Sequence, residues 1–138
     1  MTTPLWCLVF FASWTLALVL FGLGPFRVGS VLMGKAKPNH FPAETPHGPD
    51  WYRRLMRAHA NCVENLGPFG VVVLVGQLIG LTDGNFALLS QVYVGARVGQ
   101  TLLHLASGRA RIINLRFTCF LVQLVCVGAM IVEIARHG

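Results

Sequence analysis

Arg97 sits near the middle of the otherwise apolar stretch 86–106. A guanidinium at that depth in lipid costs roughly 2.5–3.5 kcal/mol on insertion scales, so it belongs in a bundle interior with a partner. Gln100, Thr101 and His104 follow Arg97 at offsets of three, four and seven, which puts all four on one helix face. A second set, Arg57, Asn61 and Glu64, is spaced four and three and forms another stripe. Together these are the groups that hold a ligand carrying carboxylates, an amine and amides. Arginine forks grip carboxylates in a bidentate way, and Glu64 can accept hydrogen bonds from an ammonium group. The same residues can equally join helices, with Arg97 and Glu64 as a buried ion pair, and residue types alone leave both readings open.

Both stripes need helices to carry them. The 138 residues are 54% hydrophobic and 12% charged, with mean hydropathy +0.62. A soluble domain carries about a quarter charged residues. No charge occurs in 1–26, 65–82 or 117–132. A bilayer core takes about 20 apolar residues per helix, and four segments reach that length. The expectation is an all-α, integral membrane four-helix bundle in one domain, with helices at 4–33, 51–81, 86–106 and 113–136. Gly22, Gly24 and Pro25 predict a kink in the first helix. Asp50 is the expected N-cap of the second. At 1.5 Å per residue that second helix spans about 46 Å, longer than the bilayer, so its first turns project beyond it. The Arg57 stripe then falls at the membrane edge, at the depth of Gln100 and His104, and predicts a pocket open to that side.

The first segment lacks a basic leader and a small-residue cleavage site, so it is expected to be a retained helix rather than a signal peptide. The net charge of +6 is read as topogenic, and no nucleic-acid partner is expected. Arg27, Lys35, Lys37, Arg53, Arg54 and Arg57 lie in or beside the first connection, and Arg109, Arg111 and Arg116 in or beside the third, residues 107–112. The turn 82–85 has no basic residue. Connections one and three are therefore expected on the cytoplasmic side, with both termini opposite. Cys7, Cys62, Cys119 and Cys126 all fall in helices without a C-x-x-C or zinc-type spacing, and read as reduced core residues. His40, His47 and His59 match no ligand spacing, so no metal is expected.

The run Arg57-Ala58-His59-Ala60-Asn61-Cys62-Val63-Glu64-Asn65-Leu66-Gly67-Pro68-Phe69 resembles the R-x-H-x-N-x-x-E-x-x-x-x-F signature of the MAPEG family. These are membrane-associated proteins of eicosanoid and glutathione metabolism. Ala96-Arg97-Val98-Gly99-Gln100-Thr101 resembles the family's third-helix arginine segment, and Glu133-Ile134-Ala135-Arg136-His137 is similar to a C-terminus found in it. The resemblance implies a homotrimer that binds glutathione between adjacent subunits near the cytoplasmic face. It implies Arg57, Asn61, Glu64, Arg97, Gln100 and His104 as binding residues, and a hydrophobic small-molecule substrate arriving through the membrane lipids. The chain departs at Ala60 and at Ile113-Asn114 from one branch of the family, which carries a second arginine at the first place and an arginine–serine pair at the second.

Activity of this kind needs a thiolate. A thiol of pKa about 8.5 is acidified by a nearby guanidinium. Arg109 or Arg116, helped by the Asn114 amide, is the expected activator. The expected function is a glutathione-dependent membrane transferase or peroxidase, in a bacterial inner membrane or an endoplasmic reticulum. Two alternatives are a non-catalytic lipid-binding protein of the same architecture and a small four-helix transporter. The transporter would need an acidic group within the membrane, and the first helix has none.

Overall fold

The computed structural model describes residues 1–42, 45–106 and 108–137, and among them there are four helices and no strand. They are α1 (Thr3–Leu32), α2 (Asp50–Leu78), α3 (Gly84–Ala106) and α4 (Ala110–His137). Ser107, where the sequence reading starts the third connection, lies outside the described residues.

The expected irregularity in α1 takes the form of a π-turn over Val19–Leu23. Pro25 has no N–H to give back to the preceding turn. Just before it, the Gly24 N–H reaches five residues back to the Val19 carbonyl, and the widened turn absorbs the break. A Cβ on Gly24 would lie 2.9 Å from that carbonyl, so the turn requires glycine.

Glycine also decides where two helices stop. Gly34 and Gly80 have φ of 67° and 82°, a region costly for residues with a Cβ. Each closes a double hydrogen-bonded cap. Gly34 and Lys35 donate to Val31 and Ser30, and Gly80 and Leu81 donate to Gln77 and Gly76. The second helix therefore ends at Leu78 rather than at residue 81, and the first at Leu32. The fourth begins at Ala110, three residues earlier than the apolar pattern implies. Asp50 is not the cap of α2. Pro49 holds that position, and the Asp50 carboxylate instead pairs with Arg53 in the first turn. The Arg53 guanidinium, by hydrogen bond and charge, holds that carboxyl below its ordinary range.

The core forms where α1, α2 and α3 meet. The Phe69 and Tyr93 rings stack at 4.1 Å, and Phe11 approaches each at 6.1 Å. From α2, Leu55, Ala58, Cys62, Phe69, Val73 and Gly76 point inward at helical spacing. Among the described residues α4 packs mainly on α3 and less on α2, with no close backbone approach to α1. It buries only Gln123, Cys126 and Met130, and it turns Leu124, Val125, Ile131 and Val132 outward. So large an apolar surface marks contact with lipid or with other chains. α1 and α4, with mean hydropathies of 2.1 and 2.2 over their most apolar windows, are long and apolar enough to cross a membrane. The polar stripes ride on α2 and α3.

At Gly76 the Phe86 ring of α3 lies directly against the backbone of α2. A Cβ there would stand 2.6 Å from Cε1 of Phe86 and closer still to Cζ. Phe86 is 1% exposed and has nowhere to swing. Gly76→Val is expected to destabilise the protein by about 1–3 kcal/mol through overpacking. Thermal unfolding in detergent reads this directly, and an unchanged midpoint would mean that the helix pair can spread without cost.

Candidate functional site

Arg97 is the largest fully buried side chain, at 1% exposure. Its Nη1 donates to Oδ1 of Asn61 on α2 and, at 3.0 Å, to Oε1 of Gln100 one turn along α3. The same Gln100 oxygen accepts from Nε2 of Gln123 on α4 at 3.1 Å, and Gln100 Nε2 donates to the Arg116 carbonyl at 3.2 Å. One buried amide thus joins α3 to α4, and one buried guanidinium joins α3 to α2. α1 contributes a ring face, since the guanidinium carbon lies 5.8 Å from the Phe11 centroid and 6.0 Å from that of Tyr93. Ring faces attract a desolvated cation. They take the place of the carboxylate that the sequence suggested, because Glu64 points outward and forms no ion pair with Arg97. Arg97 Nε and Nη2 and Gln123 Oε1 are buried with no partner among the described residues.

Around this hub the backbone is pinned as well. Thr101 Oγ1 donates to the Arg97 carbonyl at 2.9 Å and lies 3.5 Å from Cys62 Sγ. The Tyr93 hydroxyl donates to the Asn65 carbonyl at 3.3 Å, and Asn65 Nδ2 donates to the Asn61 carbonyl at 2.8 Å. Asn61 is therefore held both at its side chain and at its backbone.

A second polar pair lies toward the loop end. Arg116 Nη1 is 2.9 Å from Nδ1 of His104, and both residues are half-buried. The guanidinium can only donate, so Nδ1 accepts and the imidazole proton sits on Nε2. Through the Arg116 carbonyl this pair is continuous with the Gln100 hub.

The other expected site residues stand apart. Arg57 and Glu64 are exposed and have no partner among the described residues. The buried side of α2 is centred on Leu55, Ala58, Cys62 and Phe69. At about 100° per residue, Arg57 and Glu64 lie more than a third of a turn from that centre, with Asn61 between. Asn114 is exposed, its carbonyl taking the Thr118 hydroxyl at 3.1 Å, and Arg109 is exposed in the third connection. Arg97, Asn61 and Gln100 are brought together, and so are His104 and Arg116. Arg57 and Glu64 form an outward flank beside Asn61.

Sequence reasoning missed three members of the network, Gln123, Tyr93 and Asn65. Gln123 had a legible signal. It is the one amide in the uncharged run 117–132, on the same face as Cys126 and Met130. Tyr93 precedes Arg97 by four residues and so shares its face. Asn65 gave no such signal, because it acts through its backbone carbonyl and a local amide bond.

Comparison with protein-family models matches residues 3–136, nearly the whole chain, to the MAPEG family. Among curated proteins nothing matches.

Proposed function

The chain belongs to the MAPEG family, and on that premise we propose that it is a glutathione-dependent membrane transferase or peroxidase acting on a hydrophobic electrophile. One observation carries this reading. Arg57 and Glu64 stand exposed and unpaired on either side of Asn61, which the buried Arg97 holds in place. A guanidinium and a carboxylate left open on one helix face complement a ligand with a carboxylate at one end and an ammonium group at the other. Such a pair facing lipid would be costly, so a ligand or a neighbouring subunit is expected to cover it. A homotrimer with four spans per subunit supplies that cover, and the apolar outer face of α4 supports close contact with lipid or another copy.

In this reading Arg57, Asn61 and Glu64 bind the peptide's polar groups. Arg97 and Gln100 orient Asn61 from within, and the two unspent Arg97 nitrogens favour a net negative ligand beside Asn61. Glutathione supplies a thiol whose deprotonated form is the nucleophile. Of the three candidate activators, Arg116 is favoured over Arg109 and Asn114 because it is half-buried and held by His104. The site would face the cytoplasm, where the basic connections are expected, and the second substrate would partition in from the bilayer.

The test is glutathione binding to detergent-purified protein, with thiolate followed by ultraviolet absorbance. Binding with a thiolate signal is the expected result. Glu64→Gln is expected to weaken binding about tenfold, the loss of one charge-assisted contact, without moving the unfolding midpoint. Binding without thiolate would favour a non-catalytic lipid-binding protein of this architecture. Absence of binding would reduce both polar stripes to helix joints.

A further inference from the structure

A cavity of about 320 Å³ lies at the head of α2, lined by Asp50, Arg53, Arg54, Arg57 and Gly108. Three guanidiniums from two successive turns face one carboxylate, and the α3–α4 connection closes the far wall through Gly108. Arg54 is anchored there by its Nε, which donates to the Leu105 carbonyl at 3.3 Å and leaves its terminal nitrogens for another acceptor. Arg53 spends one nitrogen on Asp50, and Arg57 has no partner among the described residues. Positive charge for topology needs no cavity, yet these three side chains share one.

We propose that this cavity binds the phosphate of an anionic phospholipid. Guanidinium forks match phosphate oxygens in pairs, and basic pockets between membrane helices take acidic headgroups. Two features favour a lipid over a free anion. Trp51 is 47% exposed on the same first turn, and such rings settle at headgroup depth. Beneath the cavity, Val63, Val71, Leu74 and Leu78 form one exposed stripe down α2, a track for an acyl chain that passes to one side of Glu64. Arg57 borders both this cavity and the proposed glutathione site, whereas Arg53 and Arg54 have no part in the glutathione reading, so the two proposals are told apart at Arg53 and Arg54.

The full chain is placed in nanodiscs of phosphatidylcholine with a rising fraction of phosphatidylglycerol, and bound lipid is counted by native mass spectrometry alongside thermal unfolding. The expected result is a preference of at least about tenfold for phosphatidylglycerol, the scale of one charge-assisted hydrogen bond, with a matching rise in midpoint. R54Q and R53Q are each expected to remove most of that preference. Among the described residues the Arg53 side chain bonds within its own turn, to Asp50, so R53Q keeps the test open should R54Q fail to fold. A double variant at Lys35 and Lys37, basic residues outside the cavity, is expected to retain the preference. An equal loss in all variants would mean diffuse surface attraction and would overturn the proposal. So would an equal gain from inorganic phosphate in pure phosphatidylcholine, which would make the cavity a free-anion site. Glutathione binding measured on the same samples separates failure here from failure of the functional reading.

Discussion

Arg97→Ala is expected to lower stability in detergent by about 3–5 kcal/mol, enough to remove most of the margin of a domain this size. The side chain is fully enclosed, so truncation leaves a cavity on the scale of a lost aromatic ring. It also removes the Arg97 donor from the half-buried Asn61 Oδ1, which keeps only a long 3.5 Å bond from Asn65 Nδ2, adding about 1 kcal/mol. Gln100 suffers less, because Gln123 still donates to its oxygen. One effect opposes these losses. Arg97 has no carboxylate partner, and removing an uncompensated charge recovers desolvation energy. Arg97→Met separates the two contributions, since it keeps the volume and discards the charge. Arg97→Met is expected to be markedly more stable than Arg97→Ala, while losing glutathione binding as fully. If Arg97→Met exceeds the parent in stability and still fails to bind, the guanidinium is kept for function at a structural cost. If Arg97→Ala unfolds at the parent's midpoint, the hub does not hold the helices together.

The helix count, the irregularity before Pro25 and the polar face of the third helix were legible because each rests on a local rule. Long apolar segments bounded by polar turns mark helices, proline interrupts a hydrogen-bond ladder, and a period of 3.6 gathers residues on one face. The direction of the α2 stripe was not legible in the same way. In water an apolar face points inward, so a polar stripe can be placed by elimination. In a bilayer the core and the lipid are both apolar, and Arg57 and Glu64 could face either side of α2 equally well by composition. The structure turns them out and Ala58 and Cys62 in. The Arg97–Glu64 ion pair, one of the readings that the residue types left open, does not form, for a related reason. Charge complementarity suggested Glu64, one turn from Asn61, but Asn61 lies nearer the helix's buried side, and two aromatic faces already solvate the cation. The end of the second helix was shifted because the apolar pattern runs to residue 81, past Gly80, where the backbone takes a positive φ.

Arg116→Ala is expected to lower turnover about a hundredfold at neutral pH while changing glutathione affinity by less than about threefold, the pattern of lost charge stabilisation at a reacting atom. The sign follows from linkage. A guanidinium favours the thiolate, so it holds the bound thiol below its ordinary value of about 8.5. Without it that value rises, the thiolate fraction at pH 7 falls, and the rising limb of the pH–rate profile moves to higher pH. The variant is then expected to regain most of its activity near pH 9. A residue that only packs His104 in place would lower the rate equally at every pH, so the profile distinguishes activation from support. Arg109→Ala, in the exposed connection, is the matched control, with little change expected. If the shift appears in Arg109→Ala instead, the thiol lies against the connection. The 2.9 Å contact of Arg116 with His104 would then be a joint between α3 and α4, in series with the Gln100–Gln123 bond one turn deeper.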